Sequence, residues 1–331
     1  MSALSSGAPQ FSIVLPVYNR ELLVKRAIES CLAQDFSDFE LIVVDDGSSD
    51  RSASVAQAYR DPRISVVQHS LNRGVGPARN TGVGAARGEW IVCLDSDDEL
   101  LPAALSAMAA RIDRLDSGVE GVRFMCRFDS GALSPDPPLR GQVWDYEGYV
   151  RWAESVRNRR QESLPCVRRD TFRVTRYPET RMLEGCYHLD FARNFRTLAA
   201  PDVVRLYHGD APDQLSRPHS RRDREVEKDF AEGLSELLEK HGAALKAWAP
   251  ELHFQYLRSA ATYSFLAGQR TAGARYAAEC LRQKPFAASA LFLMGAGMLG
   301  PDVVSAFRGA SRQFTQLVRR IKPRSSHASA V

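Results

Sequence analysis

The chain contains few of the features that mark secreted, membrane-spanning or nucleic-acid-binding proteins. Its 331 residues carry 44 Lys and Arg against 40 Asp and Glu, and a net charge of +4 is too small to indicate a nucleic-acid partner. No basic segment followed by an apolar core and a cleavage site begins the chain, so we expect no secretory signal. The apolar run at 287–300 is too short to span a bilayer. We therefore expect a cytoplasmic protein.

Motifs for redox, disulfide and several nucleotide chemistries are also missing. No two of the six cysteines form a CxxC pair, and several lie in apolar segments, which predicts reduced core residues. No GxxxxGK[ST] sequence is present, so a P-loop enzyme is disfavoured. Gly74-Val75-Gly76 opens a helix, but Arg79 stands where a dinucleotide fingerprint needs its third glycine. We expect the later glycines, Gly82, Gly84 and Gly88, to allow close packing against a sheet.

What is present is a regular alternation of strand and helix patterns in the first half. Short apolar runs alternate with segments of helical periodicity, and Pro16 is expected to stop the first run. The predicted strands are residues 11–15, 39–44, 64–68, 90–94 and 121–128. Repeated β-α-β units predict an α/β fold with a mostly parallel sheet flanked by helices. After about residue 222 the chain becomes helical and rich in alanine.

Acidic residues follow two of these strands. Asp45 and Asp46 come after the second strand, and Asp95 and Asp97 come after the fourth. Carboxyl ends of parallel strands share one edge of the sheet, where ligands bind in open α/β folds. Clustered carboxylates repel one another, so a divalent cation, Mg²⁺ or Mn²⁺, would stabilise the second group. The alternative is helix capping, to which we assign Asp98.

The sequences around these strand ends resemble a known family. SIVLPVYNRE, ELIVVDDGSSD and NRGVGPARNTGVGAARGEWIVCLDSDDELLP occur in this order, and together they resemble the N-terminal half of family 2 glycosyltransferases. The resemblance covers roughly residues 10–115. It implies a GT-A fold in which a nucleotide-diphospho-sugar lies across the strand ends, with its diphosphate on a divalent metal.

The resemblance also implies roles for individual residues. Pro16, Val17 and Tyr18 would contact the nucleoside, and Asp46 would contact the nucleobase. Arg79 would meet the nucleotide or diphosphate. Asp95 and Ser96 would lie on the ribose side, and Asp97 would bind the metal. Each position has a structural alternative: Pro16 and Tyr18 as turn residues, Asp46 in an Asx turn, and Arg79 as a solvated helix residue.

The second half must supply a base for the acceptor. The segment Met182-Leu183-Glu184-Gly185 resembles the family's acidic pair before a helix, although Gly185 replaces the second acid. Glu184 is therefore the predicted base, and Asp190 is the alternative on the same helix. A carboxylate at a helix N-terminus is also explained by the helix dipole alone. His208 follows a strand-like run, where family members often place a residue near the diphosphate.

These observations predict the domains and the activity. We expect a flexible tail at 1–10, a GT-A domain at 11–220, a helical extension at 221–324 and a disordered tail at 325–331. Within the domain, residues 11–118 would bind the nucleotide-sugar, and residues 119–220 would supply the acceptor side and the base. The predicted reaction is inverting, metal-dependent sugar transfer to a carbohydrate or lipid-linked acceptor, with no nucleic-acid partner.

The alternatives are a sugar nucleotidyltransferase and a non-catalytic scaffold that binds nucleotide-sugars. The apolar run at 287–300 and the basic segment 307–324 would allow peripheral contact with the inner face of the membrane, although a buried helix and a solvated tail explain them equally well.

Overall fold

The computed structural model describes residues 7–179, 184–209 and 224–306, with the backbone alone at residues 184 and 298. The strands are β1 Phe11–Val17, β2 Phe39–Asp45, β3 Ile64–Gln68, β4 Trp90–Cys93, β5 Glu99–Leu100, β6 Gly121–Phe128, β7 Leu133–Ser134, β8 Gln142–Trp144, β9 Ser163–Arg168 and β10 Thr197–Tyr207. The helices are α1 Val24–Leu32, α2 Ser52–Gln57, α3 Val75–Ala85, α4 Ala104–Ile112, α5 Tyr146–Val156, α6 Glu184–Asn194, α7 Arg224–Trp248, α8 Pro250–Leu266, α9 Arg270–Gln283 and α10 Ala288–Leu299.

The strands form one sheet with the order β3-β2-β1-β4-β9-β6-β10-β5. The first four strands in this order are mutually parallel. β9 runs antiparallel to both β4 and β6, and β6 is parallel to β10. Six long strands therefore point the same way, and β9 alone among the long strands of the described residues opposes them. The prediction of a mostly parallel sheet flanked by helices is confirmed.

Helices cover both faces of the sheet, because the central strands carry apolar side chains toward each face. Ile13 and Leu15 of β1 pack in a core with α1 and α4, whereas Val14 packs in a second core with α3 and α6. Every residue of β1 and β2 is buried. A strand enclosed on both faces needs a continuous apolar run, as the sequence has here.

The prediction that Pro16 stops the first strand is wrong. β1 continues to Val17, and Pro16 pairs with Val44 of β2. Pairing with β4 on the other side ends at Val14. Pro16 therefore lies where the strand has one neighbour, and proline is tolerated where a ladder hydrogen bond is not required on both sides.

The glycines in and after α3 differ in what surrounds them. A Cβ on Gly82 would collide with Val14 Cγ1 of β1, and a Cβ on Gly88 would lie 2.6 Å from the Ser12 amide nitrogen. The same construction at Gly84 meets no atom within 4 Å. Close packing against the sheet is therefore correct for Gly82 and Gly88 and wrong for Gly84, which faces open space.

Two alanine substitutions in α3 should have opposite effects on stability. Gly82→Ala is expected to lower the free energy of unfolding by about 1–3 kcal/mol, because the added methyl overpacks the helix against β1. Gly84→Ala is expected to raise it by about 0.5–1 kcal/mol through helix propensity alone. Urea unfolding of both variants is the measurement. Equal changes in the two variants would contradict the assignment of Gly82 to the helix–sheet contact.

The chain divides into two compact units. Within the described ranges, the first unit comprises residues 7–209 and 239–252, and the second comprises residues 224–238 and 253–306. In the second unit, the Phe230 and Tyr263 rings stack at 4.4 Å, and the Tyr276 hydroxyl donates to Ser235 Oγ at 2.7 Å. The unit is therefore held by contacts of α7, α8 and α9.

No helix among the described ranges is long and apolar enough to cross a membrane. The predicted basic segment 307–324 and the tail 325–331 lie outside the described residues, as do residues 1–6 of the predicted N-terminal tail. Five of the six cysteines are buried and the sixth, Cys93, is partly buried, and all six are free thiols. The domain boundaries at 11, 118, 220 and 324 stay predictions.

Candidate active site

The acidic turn lies at the carboxyl edge of the sheet between β4 and β5. The Leu94 amide donates to the Val14 carbonyl at 3.0 Å, which keeps the chain on the sheet up to the residue before the turn. The Asp98 amide then donates to the Asp95 carbonyl at 3.1 Å and closes the turn. Asp95, Asp97 and Asp98 are therefore held close together at a strand end, where the sequence predicted a ligand site.

Asp95 is paired with two arginines from distant parts of the chain. Arg79 Nη2 of α3 lies 2.7 Å from Asp95 Oδ1, and Arg205 Nη1 of β10 lies 3.5 Å from Asp95 Oδ2. Burial raises the pKa of the Asp95 carboxyl, but Arg79 and Arg205 outweigh burial and hold the pKa below its ordinary value. Asp95 is therefore an anion, and the structure brings together two residues, Arg79 and Asp95, that the sequence assigned to one ligand.

Arg79 is a buried side chain and not a solvated helix residue. Its side chain is 5% exposed, and its guanidinium lies 5.2 Å from the centroid of the Tyr177 ring. Ser96, the residue after Asp95, is buried as well. The alternative of a solvated position for Arg79 is therefore wrong, because α3 places this side chain against Asp95 and the Tyr177 ring.

Asp97 differs from Asp95 and Asp98 in that an arginine contacts its backbone and not its carboxylate. Arg26 of α1 donates to the backbone carbonyl of Asp97, so this contact leaves the carboxylate for other ligands. Burial raises the pKa of Asp97, the Asp95 carboxylate raises it further, and Arg20 and Arg205 offset only part of the rise. A carboxylate in this situation gains from a nearby cation, because a positive charge favours its ionised form.

The prediction that Asp98 caps the following helix is wrong. The short strand β5 separates Asp98 from α4, whose N-cap is Ala103 in a left-handed conformation with φ 60° and no side-chain cap. The Asp98 carboxylate instead accepts a hydrogen bond of 3.0 Å from the His208 amide. A capping residue must directly precede the first turn of its helix, and β5 places Asp98 too far from α4 to do so.

Asp98 is part of a buried charge cluster around Arg205. Arg205 Nη1 lies 3.4 Å from Asp98 Oδ2, and both side chains are almost fully buried. Burial raises the pKa of Asp98 to about 8, Asp95 and Asp97 add to the rise, and Arg205 and the His208 amide oppose it. The two arginines therefore do not suffice to keep all three carboxyl groups of the turn ionised near neutral pH.

Arg205 is a functional-site residue that sequence reasoning missed. Its guanidinium also lies 3.1 Å from Glu162 Oε2, and its Nε lies 3.1 Å from Cys126 Sγ. Arg205 therefore joins β10, β6 and the acidic turn. A signal was present, because an arginine inside the apolar run Val203-Val204-Arg205-Leu206 needs a buried counter-ion if the run is a strand.

His208 lies at the same edge, held between two carboxylates. Its Nε2 is 2.7 Å from Glu99 Oε1, and its Nδ1 is 2.7 Å from Asp129 Oδ1. These contacts fix the imidazole beside the turn. The structure thus places His208 in the cluster next to Asp98, and the predicted contact of His208 with a diphosphate stays a prediction.

The first two motifs are joined to each other by hydrogen bonds between their loops. Asn19 N donates to Ser48 Oγ at 3.0 Å, and Ser49 N donates to Asn19 Oδ1 at 2.8 Å. Pro16 and Val17 are buried within β1, whereas Tyr18, directly after the strand, is 44% exposed. Of the three residues assigned to the nucleoside, Tyr18 is the one whose ring is open to a ligand, and Pro16 and Val17 can contribute backbone groups.

Asp46 is buried and fixes the loop that enters α3. Its carboxylate accepts hydrogen bonds from the Gly74 amide at 2.7 Å and the Arg73 amide at 3.0 Å, and it lies 2.7 Å from His69 Nδ1. Asp46 therefore couples the second motif to the Gly-rich motif. The predicted contact with a nucleotide base stays a prediction.

The two base candidates occupy different situations on α6. The helix begins at Glu184, whose side chain lies outside the described part of the structure. Asp190 lies 3.2 Å from His241 Nε2 and 3.4 Å from Lys240 Nζ, both on α7. Burial lowers the pKa of His241, so its contact with Asp190 is a hydrogen bond, and Lys240 supplies an ion pair. Asp190 is therefore engaged by α7, and Glu184 stays the predicted base.

The sheet and its acidic strand end define a class of protein, an α/β protein of the GT-A type. S. aureus TarS, whose crystal structure contains UDP-GlcNAc, superposes with a TM-score of 0.60 at 18% identity over 91% of this chain and 92% of that chain. A second crystal structure of TarS, of residues 1–349, superposes with a TM-score of 0.56. At this identity the likeness concerns the fold alone. The predicted GT-A fold is confirmed.

Residues 12–169 match the family described as Glycosyl transferase family 2, and this region of the chain belongs to that family. Succinoglycan biosynthesis protein ExoO of Rhizobium meliloti is 46% identical over 105 residues, which are 32% of this chain and 30% of the relative. The GalNAc(5)-diNAcBac-PP-undecaprenol beta-1,3-glucosyltransferase of Campylobacter jejuni is 42% identical over 143 residues, which are 42% of this chain and 45% of the relative. The chain thus spans less than half the length of these relatives.

Proposed function

We propose that this protein transfers a sugar from a nucleotide-diphospho-sugar to a carbohydrate-type acceptor in a polysaccharide, glycan or glycolipid. The observation that carries the proposal is the acidic turn at the carboxyl edge of a family 2 domain, with Asp97 beside the Arg79–Asp95 pair. The names of the relatives, which refer to succinoglycan and to an undecaprenol-linked glycan, support this class of acceptor. UDP-GlcNAc in TarS supports this class of donor.

The charge of the turn fits a divalent cation. Burial and neighbouring carboxylates raise the pKa of both Asp97 and Asp98, so a cation at the turn would favour the ionised cluster. Within the described ranges, no three His, Cys, Asp or Glu side chains are arranged to hold a metal by themselves. Mg²⁺ often takes one or two carboxylates and completes its shell with substrate phosphates and water. Asp97 is the residue we assign to the metal.

The chain's own residues would then divide the work of transfer. A bound divalent metal would supply charge stabilisation for the leaving diphosphate. Tyr18 and Asp46 would orient the nucleoside, Arg79 and Asp95 with Ser96 would position the ribose and diphosphate side, and Glu184 would remove the proton from the acceptor hydroxyl as that oxygen attacks the anomeric carbon. Attack from the face opposite the leaving group inverts the anomeric configuration. Contact with the inner membrane face and a cytoplasmic location stay predictions.

A thermal-shift screen tests the proposed function. UDP-, GDP- and dTDP-sugars are tested separately. A nucleotide-sugar that binds should stabilise the protein by about 2.7 kcal/mol at 100 times its dissociation constant, and this stabilisation should require Mg²⁺ or Mn²⁺. The matched control is the same series with EDTA. Stabilisation by none of the nucleotide-sugars would contradict the proposal. Stabilisation without any transfer or hydrolysis of the donor would favour the non-catalytic scaffold.

A further inference from the structure

A buried cation for which the described residues supply no counter-ion lies in the second half of the sheet. Arg123 of β6 is 7% exposed, and its guanidinium lies 5.5 Å from the ring centroids of both Tyr149 and Trp152 on α5. Its Nη1 donates to Ser163 Oγ at 2.6 Å, and its Nη2 lies 3.2 Å from His188 Nδ1 on α6. None of these partners is a carboxylate, and no ion pair engages Arg123 among the residues that the structure describes.

Two donor atoms in this cluster have no acceptor within the described ranges. Arg123 Nε and Trp152 Nε1 are buried, and neither makes a hydrogen bond within the described part of the chain. Burial of a charge is strongly unfavourable unless an opposite charge or hydrogen bonds compensate for it. The contrast with Arg205 is direct, because Arg205 contacts three carboxylates. The described surroundings of Arg123 therefore leave its positive charge uncompensated, and an anion would compensate it.

His188 adds a third donor, and Arg123 determines which nitrogen carries its proton. An arginine can only donate, so His188 Nδ1 must accept and the proton of the neutral ring lies on Nε2. Burial lowers the pKa of His188 well below its ordinary value, and Arg123 and Arg79 lower it further. The imidazole is therefore neutral and presents an Nε2–H group. The residue is partly exposed, so a ligand can reach this side of the cluster.

The cluster lies next to the residues assigned to the donor. The Arg79 guanidinium lies 5.2 Å from the Tyr177 ring, the Tyr177 and Tyr187 rings stack at 4.0 Å, and the Tyr187 and His188 rings are 5.4 Å apart. A continuous row of rings thus runs from Arg79 to His188. Residue 184, the predicted base, begins the same helix one turn before His188. This is the side of the site where an acceptor would bind.

We propose that Arg123 and Trp152, with His188 beside them, form a subsite for an anionic group, a carboxylate or a phosphate, on the acceptor sugar. This inference rests on the proposed function. The anion would receive hydrogen bonds from the unpaired donors of Arg123 and Trp152, and it would neutralise the buried guanidinium. Arg123 also acts as a positioning residue, because its hydrogen bond sets the tautomer of His188. The acceptor would accordingly be an acidic or phosphorylated saccharide.

Binding of three simple saccharides tests the subsite. Glucuronate, glucose 1-phosphate and glucose are titrated by saturation-transfer NMR at constant ionic strength into the full chain, saturated with Mg²⁺ and with whichever of UDP, GDP or dTDP stabilises it. We expect at least one of the two anions to bind about tenfold or more tightly than glucose, because glucose cannot form the charge-assisted hydrogen bond that the anion forms. Preference for glucuronate would assign a carboxylate, and preference for glucose 1-phosphate would assign a phosphate.

Variants distinguish the subsite from non-specific attraction. Arg123→Met should abolish the preference for the anion, and Trp152→Phe, which keeps a ring and removes Nε1, should reduce it about threefold to tenfold. Arg151→Met is the matched control, because Arg151 is an exposed cation on α5 that pairs with Glu147, and it should keep the preference. If Arg123→Met does not fold, Trp152→Phe alone decides the matter.

The outcomes separate this inference from the proposed function. Nucleotide-dependent stabilisation combined with equal binding of glucose and both anions would overturn the subsite and leave the transferase proposal intact. An anion preference that survives in the Arg123→Met and Trp152→Phe variants would also overturn the subsite. Absence of stabilisation by every nucleotide-sugar would instead overturn the proposed function.

Discussion

Replacement of Asp97 by Asn is expected to abolish metal-dependent binding of the nucleotide-sugar and to lower turnover roughly 10³-fold, because the loss of several kcal/mol of charge stabilisation of the leaving diphosphate corresponds to about three decades in rate. The Asn side chain keeps the shape of Asp97 but removes the charge that a divalent cation requires. The measurements are the Mg²⁺- or Mn²⁺-dependent thermal shift with donor and the rate of donor consumption.

The matched control for Asp97→Asn is Asp113→Asn. Asp113 is an exposed acid at the end of α4, away from the acidic turn, and its replacement changes the net charge equally. Asp113→Asn should retain both metal-dependent binding and turnover. The metal assignment would be wrong if Asp97→Asn kept a metal-dependent shift of the same size as the unmodified protein.

Replacement of Arg205 by Met is expected to lower the free energy of unfolding by about 3–5 kcal/mol, because it leaves buried carboxylates without their cation. The Arg205 side chain is 4% exposed and contacts Asp95, Asp98 and Glu162. Such a loss is a large fraction of the roughly 5–15 kcal/mol that stabilises a typical domain. Urea unfolding at pH 7 is the measurement.

Arg111→Met provides the comparison for Arg205→Met. Arg111 pairs with Asp202 at 2.6 Å, but the side chains are 35% and 27% exposed, so we expect a loss of no more than about 1 kcal/mol. The double variant Arg205→Met/Asp98→Asn should be less destabilised than Arg205→Met alone, because a neutral amide at position 98 needs no compensating cation. Similar losses for Arg205→Met and Arg111→Met would exclude a central role for the Arg205 cluster.

The strands of the first half were predictable because burial on both faces leaves a local mark. The runs at 64–68 and 121–128 have the observed bounds of β3 and β6. The end of β1 was not predictable from Pro16, because a proline stops a strand that has neighbours on both sides but is tolerated where the strand has one neighbour. The orientation of β9 was not predictable from its residues, because a strand of alternating burial is compatible with either direction.

The site was predictable where it depends on residues close together in the sequence. Asp95, Ser96 and Asp97 form one turn, and Arg79 meets Asp95 across a short β-α-β connection. Asp98 was misassigned because β5, two residues long, stands between it and α4. Arg205 lies 110 residues from Asp95, and this pairing depends on β10 lying beside β6 in the sheet. Local patterns carry no information about such a partner.

The sequence alone determined that this chain forms strands enclosed by helices and that two of those strands end in carboxylates, because apolar periodicity and the order of motifs are local properties. Tertiary structure decided which carboxylates are neutralised. Arg79 and Arg205 converge on Asp95 and Asp98, while the contact from Arg26 holds only the backbone of Asp97. It also decided that Arg123 meets no carboxylate among the described side chains. The physical reason is that the charge balance of a buried group depends on its neighbours in space, and the order of strands in the sheet sets those neighbours.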